Sequence, residues 1–344
     1  MISRRLFVAA GLMASCAGTS FLTSCALEDS KSPTLPGDID ANEYGEIQKA
    51  TYFLYDTVIN ISAYTTPEVM VELESNMKRY ENLFSRTIAG SDVDRINTSQ
   101  GKPVEVDPLT SKMIEQALKY CYQTDGLFNI AIGRITELWN FPNKIMPSQQ
   151  DLDAALKHID YTKVVVDGNK VSVLDPEIKL ELGAVAKGYI ADLSRDFLLS
   201  KGCKSAILNL GGNTYALGTK PQGKKWVIGI QDPTQPTGQI TGTIEAMDES
   251  IVTSGLYERS FEKDGKLYHH ILDPKTGMPI DSGILGVTIV GKSSFICDIL
   301  STTTFLLGIE KGMEFLKGQS GYKASFINME NQPISTPDFI IKTT

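Results

Sequence analysis

Glu181-Leu182-Gly183-Ala184-Val185-Ala186-Lys187-Gly188-Tyr189 runs into a helical pattern that ends near Leu199, and residues 205–210 then read as a strand closed by Gly211-Gly212-Asn213. The residues beyond that stretch decide the fold. Residues 226–230, 239–244, 250–253, 257–261 and 285–290 are strand-like, with no helical pattern between them until residues 296–308. Parallel strands need long crossovers, usually helices, whereas antiparallel strands can succeed one another directly. The succession therefore predicts an α+β fold with mostly antiparallel sheets packed with helices. Upstream the same mixture recurs. Residues 51–61 are rich in aromatic and β-branched side chains and read as a strand. Residues 66–84 carry Val69, Val71, Leu73, Met77 and Leu83 at roughly helical spacing, and residues 108–122 repeat that signal with Met113, Ile114, Ala117, Leu118 and Cys121. Residues 163–166 and 170–173 flank Asp167-Gly168-Asn169, a hairpin signature.

The N-terminus has a different character. Arg4 and Arg5 precede an apolar run over residues 6–22, which is too short and too broken by Gly and Ser for a membrane span. Leu22-Thr23-Ser24-Cys25 has the form of a lipobox. Residues 1–24 are thus expected to be a lipoprotein signal peptide, with Cys25 the lipidated first residue and a membrane held through that anchor. An ordinary cleaved signal is the alternative, and Cys16 offers a weaker second site. Ser3-Arg4-Arg5-Leu6-Phe7 also resembles a twin-arginine signal, so the general and twin-arginine export routes both stay open. Residues 25–46 are polar, rich in Pro, Gly and Asp, and read as a flexible tether. Residues 47–344 are expected to form the catalytic domain.

The formal net charge is −8, the wrong sign for a nucleic-acid partner. Three histidines are too few for a multi-His metal site. Beyond the signal, Cys121, Cys203 and Cys297 are odd in number and apolar in context, and read as buried free thiols.

Two segments carry chemistry. Asp298 and Thr302 stand four apart in a helical pattern and share a face. A carboxylate and a hydroxyl are hard donors suited to Mg²⁺, which completes its shell with phosphate and water. A capped helix start with a solvated Thr explains the same spacing. His270 precedes Asp273-Pro274-Lys275-Thr276-Gly277, a turn with Pro at its second position. An imidazole there can take a proton from an attacking hydroxyl, and a plain strand histidine is the alternative. Glycines over residues 181–188 allow close approach to a ligand at a helix N-terminus, where Lys187 adds positive charge. The spacing is not that of a Walker loop.

Taken in order, these motifs resemble one family. Val252-Thr253-Ser254-Gly255-Leu256-Tyr257-Glu258-Arg259, with His270-Ile271-Leu272-Asp273-Pro274-Lys275-Thr276-Gly277-Met278-Pro279 after it, is similar to the paired motifs of the ApbE-type flavin transferases. Residues 181–189, Leu208-Asn209-Leu210-Gly211-Gly212-Asn213 and Cys297-Asp298-Ile299-Leu300-Ser301-Thr302 resemble that family's other motifs. The resemblance runs from about residue 51 to the end. It implies a T-fold-like α+β enzyme, facing the periplasm of a bacterial cell envelope, that uses FAD with Mg²⁺. Such an enzyme transfers FMN from FAD to a Thr or Ser hydroxyl of an acceptor protein and releases AMP. By position it implies Asp298, Thr302, Ser301 and the Ala184 carbonyl as metal ligands and His270 as the base. Tyr55, Thr57, Glu181, Lys187, Ser254, Gly255, Leu272, Asp273 and Thr276 would contact FAD. The departures are Tyr55-Asp56-Thr57 for Met-Gly-Thr, Ser85-Arg86-Thr87 without the usual aromatic, Asn129 for Asp, and Glu181 for Asp. An FAD pyrophosphatase yielding FMN and AMP, and a non-catalytic flavin-binding lipoprotein, are the alternative functions.

Overall fold

A computed structural model of the chain describes residues 44–343. The expected signal segment, Cys25 and residues 25–43 of the tether lie outside the described residues. In chain order the elements are β1 (Ile47–Leu54), β2 (Thr57–Tyr64), α1 (Pro67–Phe84), α2 (Asp92–Thr98), β3 (Val104–Glu105), α3 (Pro108–Gln123), α4 (Gly133–Thr136) and α5 (Gln149–Ala155). Then come β4 (Val164–Asp167), β5 (Lys170–Val173), α6 (Gly183–Ser200), β6 (Ala206–Leu210), β7 (Asn213–Leu217), β8 (Trp226–Gln231), β9 (Ile240–Ala246) and β10 (Glu249–Gly255). The chain continues through β11 (Ser260–Lys263), β12 (Lys266–His269), β13 (Ile284–Gly291), α7 (Ser294–Lys317), β14 (Lys323–Asn328), β15 (Pro333–Ser335) and β16 (Lys342–Thr343).

Eight strands form one antiparallel sheet in the order β1-β2-β6-β7-β10-β13-β14-β15, as an α+β fold requires. Alternation along its strands sends one set of side chains to each face. Val252, Ile284, Val287 and Ile289 pack with Leu300 and Phe305 of α7 in one apolar cluster. Ile251, Val290 and Ala216 point the other way, against Trp226, Ile228, Ile230 and Ile244 of the smaller sheet β16-β9-β8. A larger cluster joins β2 and β6 to α1, α3 and α6 through Ile59, Ile61, Leu208, Leu73, Met77, Ile114 and Ile190. Each such side chain stabilises the fold by roughly 1.5–3 kcal/mol through removal from water.

Local chemistry sets most boundaries. Thr66, Ser91 and Ser293 cap α1, α2 and α7, each accepting from a backbone N–H three residues on. Pro67 and Pro108 open α1 and α3 where no donor is needed. Five sequence expectations need correction. Residues 51–61 are not one strand: β1 and β2 form a hairpin, turning at Tyr55 and Asp56 with φ of 56° at both. Val71 lies on the exposed face of α1, whose buried stripe is Met70, Leu73, Met77, Tyr80 and Phe84. Asn213 does not close a strand but opens β7. The strand expected over 257–261 starts only at Ser260. Helix α7 continues past Gly308 to Lys317, across a break where Gly308 has φ 72° and ψ −175°. Cys121, Cys203 and Cys297 are free and buried, as expected.

Candidate active site

Several loop and strand ends meet at one end of the large sheet. Strand β2 begins there at Thr57, β6 ends at Leu210, and β10 ends at Gly255. Thr57 fills the space beside Gly211: a Cβ on that glycine would fall 2.1 Å from Thr57 Oγ1, and Gly211 has φ 58°. Helices α6 and α7 approach the same end and touch at Gly188. A Cβ at Gly188 would meet Ser294 O at 2.4 Å and Asp298 Cβ at 2.8 Å, so only glycine allows this approach.

The contact delivers Asp298 to the first turns of α6. Its Oδ2 accepts from Gly188 N at 2.8 Å. In a regular helix that N–H points at the carbonyl four residues back, which is Ala184. The Ala184 carbonyl, like any backbone carbonyl, has two lone pairs and keeps acceptor capacity beyond its helix bond. Asp298 is 4 % exposed, and burial raises its pKa against the opposing pull of Lys187 and the Gly188 N–H. The carboxylate sits inside α7, five positions beyond its cap Ser293, so the capping explanation for Asp298 fails. The hydroxyl of Thr302, one turn on, has no hydrogen-bond partner among the described residues, and neither does Asp298 Oδ1. The Ser301 hydroxyl donates to Asp298 O at 2.9 Å and accepts from Ser254 Oγ at 2.9 Å, which leaves it one lone pair for a cation. No cluster of three His, Cys, Asp or Glu side chains occurs among the described residues. A buried carboxylate oxygen, an unpartnered hydroxyl and the second lone pair of a helix carbonyl together fit a hard cation such as Mg²⁺.

The two adjacent histidines separate cleanly. His269 Nε2 donates to Ile280 O at 2.9 Å, and its Nδ1 accepts from Ile271 N at 3.3 Å, so both nitrogens serve the backbone. His270 is anchored only through its backbone N–H, which donates to Arg259 O at 3.1 Å, and its Nδ1 is enclosed without a partner. Enclosure first, then the charges of Arg259 and Lys187, push its pKa down to about 3. The imidazole is therefore neutral at physiological pH and has a nitrogen able to accept a proton. Glu258 adds a second carboxylate near Gly212, at 3.1 Å from where a Cβ would stand. Burial raises its pKa, Lys187 and Arg259 oppose that, and Asp298 reinforces it. Glu258 still reaches solvent.

The remaining expected residues divide. Leu272 and Asp273 come directly after His270, and Asp273 O accepts from Thr276 N (3.2 Å) and Gly277 N (2.7 Å), giving the expected turn. Trp139 Nε1 donates to Gly277 O at 2.9 Å and fixes that turn to the 132–159 region. Glu181 stands just before α6: Oε1 accepts from Gly183 N at 2.8 Å, Thr136 Oγ1 lies 3.5 Å from Oε2, and Arg86 pairs with Oε2. Tyr55 is held on α1, its hydroxyl donating to Met77 O and its N–H to Glu81 Oε1, both at 2.6 Å. Asn129 uses both ends of its amide, donating to Ile159 O and accepting from Ala131 N, each at 2.8 Å. An Asp there could not make the first bond. Cavities of about 350 and 380 Å³ lie elsewhere, beside Phe339 and beside Tyr44, and include none of these residues. Arg86, Glu258 and Arg259 join the site although the sequence reading gave them no role there. Arg259 was visible inside the quoted motif, whereas Arg86 sits 95 residues from its partner Glu181.

An antiparallel α+β body that brings an imidazole from the end of β12, cations from α6 and from the loop after β10, and the oxygen donors of α7 within electrostatic reach of one another defines an enzyme. Residues 55–326 match the sequence profile described as the ApbE family, and the chain belongs to that family. The FAD:protein FMN transferase of Klebsiella pneumoniae (strain 342) is 38 % identical over 256 residues, covering 73 % of this chain and 79 % of that protein. The protein of the same name from Treponema pallidum (strain Nichols) is 35 % identical over 275 residues, covering 74 % and 76 %. The crystal structure of the ApbE protein of Thermotoga maritima superposes with a TM-score of 0.78 at 31 % identity, covering 85 % of this chain and 97 % of that one.

Proposed function

We propose that this chain is a Mg²⁺-dependent FAD:protein FMN transferase that attaches FMN to a Thr or Ser hydroxyl of an acceptor protein and releases AMP. One observation carries the reading: the unpartnered Nδ1 of neutral His270 lies in the same electrostatic neighbourhood as Lys187, Arg259 and the N-terminal turn of α6. The names of the relatives supply the substrate class.

The balanced step forms one bond and breaks one. The acceptor hydroxyl oxygen bonds to the FMN phosphorus, and the bond from that phosphorus to the bridging pyrophosphate oxygen breaks. AMP leaves with that oxygen, and the hydroxyl proton passes to the His270 imidazole, whose Nε2 is not the enclosed nitrogen. Charge on the phosphate oxygens is met by Lys187, Arg259 and the backbone N–H groups of α6. Mg²⁺, when held by Asp298, Thr302 and the Ala184 carbonyl, supplies Lewis-acid stabilisation of the same oxygens. Burial is the main cause of the low His270 pKa, and a pyrophosphate bound against Arg259 and Lys187 would relieve only the smaller part that those cations add.

Co-expression with candidate acceptors, with intact-mass measurement afterwards, tests the reading. A phosphoester-linked FMN on one acceptor, absent with His270→Ala, is the expected result. AMP released from FAD without any acceptor would instead identify a pyrophosphatase. FAD bound without turnover, unaffected by His270→Ala, would identify a flavin-binding protein. The lipidated Cys25 expected from the sequence would hold the enzyme at a membrane surface, and fatty-acid labelling lost in Cys25→Ser tests that.

A further inference from the structure

We infer that Arg86 is a phosphate-binding residue for the dinucleotide substrate, an anion subsite beside the N-terminus of α6. The inference rests on the reading that the substrate carries a pyrophosphate.

Arg86 lies in the loop between α1 and α2, and that loop is internally tied. Ser85 N donates to Glu81 O at 3.1 Å and closes α1. Ser85 Oγ accepts from Thr87 N at 3.1 Å and Ile88 N at 3.2 Å, and Ser91 Oγ donates to Ser85 O. The backbone that carries Arg86 is thus set by its neighbours before any ligand arrives.

Its side chain reaches Glu181 through Nε and remains 29 % exposed. No other described residue accepts from Arg86. A guanidinium has five N–H donors in a rigid fork, so the Nη groups keep donors to spare. Two such donors match two oxygens of a phosphate. Glu181 caps Gly183 N, so its partner Arg86 sits at the same helix end that would receive the pyrophosphate. A lone carboxylate at that end would repel an anionic ligand. Arg86 both neutralises it and offers its free edge to the incoming phosphate.

Binding of FAD and of riboflavin, read by flavin fluorescence with the full folded domain, separates the possible roles. Riboflavin carries the same ring without phosphate. Arg86→Ala is expected to raise the Kd for FAD roughly ten- to hundredfold, with riboflavin changed less than about twofold on the same scale. Arg86→Lys, which keeps the charge without the fork, should fall between. Loss of a neutralising charge on Glu181 would give a similar first result, so the comparison is repeated in Glu181→Gln. There Arg86→Ala should still weaken FAD. If the effect vanishes in that background, or if riboflavin and FAD weaken equally, the inference is overturned. Unchanged FAD binding in Arg86→Ala overturns it as well. These readouts need no acceptor, so failure of FMN transfer would sink the proposed function while leaving the Arg86 result to stand or fall on its own.

Discussion

Asp298 has one oxygen on the Gly188 N–H and the other free for a ligand. Asp298→Ala should lower metal-dependent turnover by roughly a hundredfold or more. Losing the buried partner of Gly188 N should also remove about 1–3 kcal/mol of stability. Rates measured across a Mg²⁺ titration check the first, and thermal melts the second; a wild-type rate would remove Asp298 from the metal site. His270 predicts a pH effect on the metal-free protein. Its folded pKa is near 3, against 6.5 for an ordinary His. Between those values the unfolded chain binds a proton that the folded chain refuses, so the His270 contribution is complete above about pH 6.5 and is lost as pH falls. Denaturant titrations at pH 7 and pH 5 should show a smaller acid loss in His270→Asn than in wild type, by at most ~1.4 kcal/mol per pH unit. Asp298, Thr302 and His270 were singled out by spacing and by a turn, which left a capped helix and a plain strand histidine open; only the family resemblance assigned them roles. Arg86 was given no role, because nothing local marks an arginine whose partner is 95 residues away.

Gly188 makes the site a property of two helices rather than of one motif. Gly188→Ala forces a methyl group into Ser294 O and the Asp298 side chain. Relief requires α6 and α7 to move apart, at about 1–3 kcal/mol of overpacking. The expected outcome is a melting point several degrees lower together with weakened Mg²⁺ dependence. Activity equal to wild type would show that the close approach does not matter. At this scale the sequence was partly readable. The two helices and strands β6, β10 and β13 of the large sheet were read in the sequence, whereas β14 and β15 were not. The β1–β2 hairpin was not, because Tyr55 and Asp56 hold left-handed conformations without the Asn-Gly signal that usually marks such a turn. Strand β7 was hidden because all five of its residues are buried, which removes the alternation that identifies a strand. Gly308 looked like a helix end because its left-handed φ does interrupt α7; the chain then resumes the helix beyond it.

Across the whole molecule the three described thiols are sealed. Cys121 is pushed up to about 12 by burial, and Cys203 and Cys297 are raised by the same cause. A thiol-specific reagent should therefore label none of them quickly in the native domain and all three after denaturation. Fast native labelling of any one would show that its cover opens. The strand order of the large sheet also governs when the site can form. Ile59 of β2 pairs with Leu210 of β6, so the first hairpin cannot find its place until about 150 residues have been made and brought back. Closing so long a loop is unfavourable before its contacts form, and such topologies fold slowly. Thr57 meets Gly211 only across that closure, and Asp298 meets Gly188 only after α7 docks. Flavin affinity should therefore emerge late in refolding, as a signal that the chain has completed its longest-range pairing. A nascent or truncated chain ending before residue 298 would contain most of the sheet and yet be blind to its own substrate.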